Sequence, residues 1–420
     1  MSVGGVALFL GHLLAWTAIV LLLAWLGRIT ARRLRQPEVV GEITGGLLVG
    51  PALHALAGAD AFAVLLPGDV LHGLKLLGEA GLALFLLGLT HELRTGPVRF
   101  GRRVVAGIVA GSLVPSLCAG GLLAGWVLLV DDPALRGTAP LPAFVLFIAV
   151  GLSITAVPVL ARILADQGLT GSREGRLALT GAIILDAAGW VLLSVVLGLN
   201  TRSLAGLLQM LATMVAAVLV VLVLGRILRT RAAGAWAGGY PRSATVAVAV
   251  ASIAAALTAE AVGVTMIFGA VLFGLAIPAN SPVWDAVVAT VTRGGRSLVP
   301  VFFVVTGVTV LTAGFGAAPW ALLGLATGLG ILGKVGGGYL GARLGGESRW
   351  TSVRVGVLMN TRGLTELIVL QVGYSAGIVT PPMFLALVVM ALVTTALTGP
   401  LLSLLDRARS RAATTPPRRL

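Results

Sequence analysis

Charge is scarce in this 420-residue chain: 11% of its residues are charged against 57% apolar, and the mean hydropathy is +1.02. So few polar side chains cannot coat a water-soluble globule, which places the chain in a bilayer. Cysteine is nearly absent. Cys118 is the single thiol, which excludes a disulfide framework and a cysteine-based metal site and reads most simply as a small buried apolar residue. Lysine is also rare, since Lys75 and Lys334 are the only two among 30 Lys and Arg, and acids number 16, leaving a net charge of +14. A nucleic-acid surface would gather those bases on a soluble face, whereas here they lie between apolar runs. Retention of positive loops in the cytoplasm explains the imbalance without a nucleic-acid partner. The first apolar run begins almost at Met1 with neither a charged preceding region nor a cleavage pattern, so a removed leader is not expected.

A crossing helix needs roughly 20 apolar residues. Apolar runs near 4–27, 37–57, 71–90, 103–129, 141–164, 175–199, 203–228, 243–259, 262–279, 297–313, 318–343, 353–377 and 383–405 therefore read as spans of an all-α integral membrane domain covering 1–406. Loop charges test that reading, because connections on alternate sides should differ in Lys and Arg. One side receives Arg28, Arg32, Arg33 and Arg35, then Arg94 to Arg103, Arg162 to Arg176, Arg226 to Arg242, Arg293 and Arg296, Arg343 to Arg354, and Arg407 onward. The other holds little beyond Arg136, Arg202 and the acids Asp60, Asp69, Asp131 and Asp132. This predicts an odd helix count, with the N-terminus outside and the C-terminus in the cytoplasm of an inner (plasma) membrane protein. Residues 407–420, rich in Arg, Thr and Pro, read as a short, disordered basic tail near anionic lipid. Gly337, Gly341 and Gly345 form a small-xxx-small face for close helix packing.

An ionisable side chain at membrane depth is costly unless paired or hydrated, so each one is a candidate for function. Asp186, in ILDAAGW, lies midway along the sixth span and is the leading ion site, because a carboxyl held away from water can carry either a proton or a cation; a structurally paired Asp is the alternative. Lys334, in ILGKVGGGYLGARL, is either a proton-coupling amine or a fixed countercharge, roles that guanidinium and ammonium fill differently. Two interruptions stand beside these charges. SITAVPVLARIL (153–164) carries Pro158 with the oxygens of Ser153 and Thr155, and NTRGLTELIVL (360–370) carries Asn360, Thr361, Arg362 and Gly363 inside an apolar run. Such breaks are expected of a secondary transporter, where half-helix ends meet at mid-membrane and bind ions; simple kinked helices are the alternative. Lying seven spans apart, each next to a span with a lone charge, they suggest corresponding positions in two inverted halves. Glu366 stands one turn after Arg362 and is expected to pair with it. Glu42 and Glu79 are further acids in apolar runs, for which structural pairing is favoured slightly over ion handling. The stretch GLGILGK (328–334) matches a phosphate-binding loop only by accident, since no strand precedes it and Val335 stands where a Ser or Thr would be needed. His12, His54 and His72 fall toward the outer side but lack ligand spacing.

Several of these segments are similar to the Kef-type and NapA-like monovalent cation:proton antiporters, the second cation:proton antiporter family. The resemblance rests on QPEVVGEITGGLLVGP (36–51), SITAVPVLARIL, VPVFFVVTGVTV (299–310), GKVGGGYLGARLGG (333–346), NTRGLTELIVLQVG (360–373) and MALVTTALTGPLL (390–402). It implies about thirteen spans in inverted repeats with two crossed, broken helices, a core that moves in an elevator-like way, and a panel that forms a homodimer. It also implies that Asp186 binds the cation, that Lys334 is the core lysine, and that Ser153, Thr155, Asn360 and Thr361 are the polar residues at the crossing. The partners so implied are a monovalent cation, a proton and the lipid bilayer, with no cofactor. One position departs. Many members have an acid or Asn immediately before the binding Asp, and electrogenic ones pair that acid with the Lys; Leu185 stands there in this chain. The expectation is therefore an electroneutral exchange of Na+ or K+ for H+ by a transporter that is not an enzyme. The rival is a protein of the same fold without exchange: a gated efflux pathway, a sensor or a membrane-embedded enzyme.

Overall fold

The computed structural model describes residues 3–34, 36–46, 48, 67–95, 100–132, 134–201, 205–261, 266–310 and 320–414. Every regular element among them is helical. In chain order these are α1 (Val3–Arg33), α2 (38–46), α3 (Gly68–Thr95), α4 (Arg102–Val130), α5 (Leu141–Ser153), α6 (Val157–Asp166), α7 (Arg173–Thr201) and α8 (Ala205–Leu228). They continue with α9 (Arg231–Gly239), α10 (Pro241–Ala261), α11 (Met266–Ala276), α12 (Pro282–Val310) and α13 (Trp320–Ile331). A π-turn, Leu332–Gly336, leads into α14 (Gly337–Leu344), followed by α15 (Arg349–Met359), α16 (Leu364–Ser375) and α17 (Pro381–Thr414). Ten segments of the described residues are long and apolar enough to cross a membrane, and Met266–Ala276 is a shorter apolar helix. The broken pair α15 and α16 accounts for another expected span. The remainder of the second expected span, beyond residue 48, lies outside the described residues, as does His54.

The chain divides into two compact units. The first comprises Met1–Ile29, Gly41–Pro97 and Ser203–Gly314. Its spine is the antiparallel pair α3 and α12, where glycines let the backbones meet: a Cβ on Gly78 would fall 2.7 Å from the Phe302 backbone, and one on Gly295 2.6 Å from the Phe85 nitrogen. Val20, Val70, Leu74, Val301 and Val304 form one buried cluster here, and Leu87, Val248, Phe273, Trp284 and Val288 another. The tenth span begins earlier than its sequence indicates. Arg293, Gly294, Gly295 and Arg296 read as a loop, yet they lie inside α12, with both arginines on its exposed face and Gly295 turned inward against α3. Helix α9, N-capped by the Thr230 hydroxyl accepting from the Ala233 N–H, lies in the basic connection between the spans expected near 203–228 and 243–259.

The second unit comprises Thr30–Val40, Val98–Arg202 and Phe315–Leu420 and contains both interrupted spans. Its α4 runs antiparallel to α14 through matched glycines. A Cβ on Gly341 would overlap the Gly107 carbonyl, one on Gly337 the Gly111 carbonyl, and one on Gly345 would stand 2.8 Å from the Val104 Cα. The small-residue face read from the sequence therefore packs as backbone-to-backbone contact. Gly341→Leu is expected to force the two helices apart at a cost of about 3 kcal/mol, measurable as a melting temperature several degrees lower in detergent.

The basic loops assigned to one side gather at one end of this unit. Arg162 pairs with Glu38 at 3.4 Å and Asp166 at 3.2 Å, Arg173 with Glu347 at 2.6 Å, and Arg354 with Glu174 at 2.9 Å and Asp406 at 2.5 Å. Arg173 also lies 5.5 Å over the Phe100 ring, which brings the N-terminal ends of α4 and α7 together. Two expectations need correction. Cys118 is exposed on the outer face of α4, beside exposed Val114 and Leu122, because that face of a membrane helix meets apolar surroundings and needs no protein cover. The basic tail does not begin as coil: α17 continues through Thr414, with Arg409 5.2 Å over the Trp350 ring.

Candidate ion site at two helix breaks

The fifth span stops being helical at Ser153 and resumes at Val157. Pro158 sits in the first turn of α6, where its missing N–H leaves no gap, so the break is an extended segment at Ile154–Ala156 rather than a kink. The twelfth span stops at Met359 and resumes at Leu364. There Gly363 has φ +153 and ψ −132, backbone that side-chain-bearing residues avoid, and a Cβ would stand 2.6 Å from a Val159 methyl. The two segments cross. The Ala156 N–H donates to the Thr361 carbonyl at 3.2 Å, and the Thr155 hydroxyl donates to the Met359 carbonyl at 3.3 Å. Four half-helix ends thus meet in one place, two with open carbonyls and two with open N–H groups.

Cations close one side of the crossing. Carbonyls at the C-terminal end of α5 lack helical partners, and Arg362 donates to Gly151 at 3.1 Å and Leu152 at 2.7 Å, while Lys334 donates to the Ser153 carbonyl and to the Thr155 hydroxyl at 2.8 Å. Arg362 also reaches the Gly330 carbonyl at 3.4 Å and pairs with Glu366 at 3.1 Å, both side chains fully buried. Lys334 rises from the π-turn, a local widening of the helix that often marks functional positions. No carboxylate among the described residues lies within ion-pair distance of its ammonium, and Leu185 fills the position before Asp186 as a buried side chain.

Asp186 stands between the breaks. On α7, Gly181 packs against Ile108 of α4 with the Met359 side chain at the end of α15 3.8 Å from its Cβ position, and Gly189 faces Ile154 in the first break, where a Cβ would lie 3.1 Å from its side chain. Asp186 is 4% exposed, and its carboxyl faces the Thr365 hydroxyl in the first turn of α16, a helix N-terminus that favours negative charge. Polar oxygens here lack hydrogen-bond partners: Asp186 Oδ1, Asn360 Oδ1, Thr361 Oγ1, Thr365 Oγ1 and Glu366 Oε2 are all buried and unsatisfied. Buried oxygens without donors are what a dehydrated monovalent cation or a proton can satisfy.

A family model described as the transmembrane sodium/hydrogen exchanger matches residues 18–405. The chain belongs to the sodium/hydrogen exchanger family. It is 33% identical over 93% of its length to the Na+/H+ antiporter NhaS4 of a Synechocystis strain, 96% of which is covered. It is 34% identical to cation/H+ antiporter 18 of Arabidopsis thaliana and 30% to K+/H+ antiporter 1 of Saccharomyces cerevisiae, spanning 47% and 45% of those longer proteins. Among solved structures the sodium proton antiporter MjNhaP1 of Methanocaldococcus jannaschii superposes with a TM-score of 0.61 at 15% identity, covering 96% of this chain and 99% of that one. That likeness gives the fold: a multi-pass helical antiporter architecture. As a member of an antiporter family, the chain is a transporter by kinship rather than an enzyme.

Within this exchanger-family chain the structure brings together Asp186, Ser153, Thr155, Asn360, Thr361, Lys334, Arg362 and Glu366. It leaves Glu42 and Glu79 in the other unit, where Glu42 pairs with Arg28 at 3.6 Å, and Glu79 with Lys75 at 3.4 Å beside Glu260. His12 and His72 are exposed. Residues that sequence reading passed over are Thr365, Thr394 and Thr395. The Thr395 hydroxyl accepts from the Arg362 N–H at 2.9 Å and donates to its carbonyl at 2.7 Å, and the Asn360 side-chain amide donates to the Thr394 carbonyl at 3.0 Å. The available signal was the paired threonines of the TTALT run, which supply hydroxyls at the depth where an unwound helix needs them.

Proposed function

We propose that this chain exchanges Na+ or K+ for H+ one for one across the inner (plasma) membrane, as a homodimer with its N-terminus outside and its C-terminus in the cytoplasm. Asp186 is the shared site, holding a proton in one direction and a cation in the other. The observation that carries the reading is its position: a buried carboxyl with an unsatisfied oxygen, facing Thr365 at the N-terminus of α16 and flanked on α7 by contacts to both breaks. Exchange of Na+ or K+ is supported by the relatives named as Na+/H+ and K+/H+ antiporters. Electroneutrality is supported by Leu185, which leaves one free carboxyl for one charge, since Glu366 is held by Arg362.

The test is proton flux in proteoliposomes driven by gradients of Na+, K+ and Li+ over a range of pH, with and without an imposed membrane potential. Cation-dependent flux insensitive to the potential is expected. Potential-dependent flux would replace the one-for-one reading, and proton movement without any cation dependence would favour the non-exchanging rival. Thr365→Val removes a hydroxyl facing the carboxyl and is expected to raise the half-saturating cation concentration about tenfold, the size of one hydrogen bond to a charged group, whereas Thr365→Ser retains the wild-type value.

A further inference from the structure

Two hydroxyls on α4 remain unexplained by the crossing. Ser112 and Ser116 are 0% and 1% exposed, and neither Oγ has a hydrogen-bond partner. Several other helical hydroxyls in this chain turn back to the carbonyl four residues earlier, as Thr90 does to Leu86 at 2.8 Å and Ser194 to Trp190 at 3.1 Å. The two serines do not, so they point toward a different acceptor or donor.

Their surroundings point to the helix that carries Lys334. A Cβ on Gly333 would lie 3.2 Å from Ser116 Oγ, and one on Gly338 3.3 Å from Ser112 Oγ, so the two contacts fall on either side of Lys334 along the chain. Gly120, one turn beyond Ser116, lies against Ala149, one turn before Ser153 on the antiparallel α5. Ser116 is therefore level with the Ser153 carbonyl that Lys334 contacts. An ammonium has three N–H donors. Two are taken by the Ser153 carbonyl and the Thr155 hydroxyl, and among the described residues the third has no protein acceptor.

We propose that Ser112 and Ser116 hold bound water against the third N–H of Lys334, and that this buried hydration site does for the ammonium what a carboxylate at position 185 would otherwise do. Serines four apart share one helix face, and the water they hold has three polar partners, Ser112, Ser116 and Lys334, the usual number for an internal water. Lys334 then has all three of its N–H donors satisfied. Its role in transport rests on the exchange reading above, but the water site itself does not.

The tests separate the two. A high-resolution cryo-EM map of the full chain in lipid nanodiscs should show density within hydrogen-bond distance of both serine hydroxyls and Lys334 Nζ; a dry contact overturns the proposal. Thermal unfolding should couple the residues: the double substitution Ser112→Ala, Ser116→Ala lowers the melting temperature by several degrees in the native background and not in Lys334→Met. Equal shifts in both backgrounds overturn the link to Lys334. In proteoliposomes the double variant should exchange about tenfold more slowly with an unchanged half-saturating cation concentration, and Ser116→Thr should restore the rate in a single Ser116→Ala comparison. A changed half-saturation would make the serines cation ligands and overturn the role given them. A wild-type chain without coupled flux would remove the exchange reading while the map and the thermal coupling still decide the water site. If the double alanine variant does not fold, the single alanine variants provide the same thermal comparison.

Discussion

Asp186→Asn abolishes cation-coupled proton flux in proteoliposomes, a loss of at least about a hundredfold, while the protein folds and melts at or above the native temperature. Asn keeps the shape of the side chain and presents a polar group toward Thr365, but it can neither release a proton nor neutralise a cation. The expected stability follows from the same burial. A buried carboxylate with one unsatisfied oxygen is expensive to keep, and replacing it with a neutral amide removes that cost. Flux and melting temperature measured on one preparation therefore move in opposite directions. Flux retained at the native level, with folding intact, would remove Asp186 from the mechanism. Loss of flux together with collapse of the fold would instead make the carboxyl structural, the alternative that its cost in apolar surroundings argues against.

What could be read in advance was whatever stood out against an apolar background. Asp186 and Lys334 are anomalies in their spans, and a polar run such as Asn360–Arg362 inside an apolar one is equally conspicuous, so the participants and the two breaks were legible. The alternation of loop arginines was legible too, and in the second unit those arginines converge on Glu38, Glu174, Glu347 and Asp406 at one end. Hydroxyls were not. A Ser or Thr in a membrane helix costs little because it can bond its own backbone, so Thr365, Thr395, Ser112 and Ser116 look like any others until the structure shows which have turned away from the helix. The π-turn was hidden for a related reason: one additional residue in a helical turn leaves no mark in a run of Gly, Leu and Val. The start of α12 was misread because Arg293–Arg296 resembles a loop in composition, whereas what decided the matter was long-range, the fit of Gly295 against the backbone of α3.

Arg362→Met is expected to destabilise the second unit by about 3–5 kcal/mol and to leave little folded protein after purification. Arg362 is fully buried, and its guanidinium makes four hydrogen bonds where nothing else reaches: to Gly151 and Leu152 at the end of α5, to Gly330 of α13, and to Glu366 at 3.1 Å. Removing it strands an acid and several helix-end carbonyls at once, in surroundings without water to replace them. Because the stranded charge is the larger part of that cost, Glu366→Gln placed on top of Arg362→Met should recover a substantial part of the lost melting temperature. Glu366→Gln alone leaves Arg362 its three carbonyls and should cost less than the arginine change. Arg362→Lys should fall between, since one ammonium cannot span α5, α13 and Glu366 together. This ordering separates a structural cross-brace from a transport ligand. A cross-brace ranks the variants by melting temperature, and those that fold keep the native half-saturating cation concentration. If Arg362→Met melts at the native temperature, the guanidinium does not brace the crossing, and the α5 carbonyls must be satisfied by another donor.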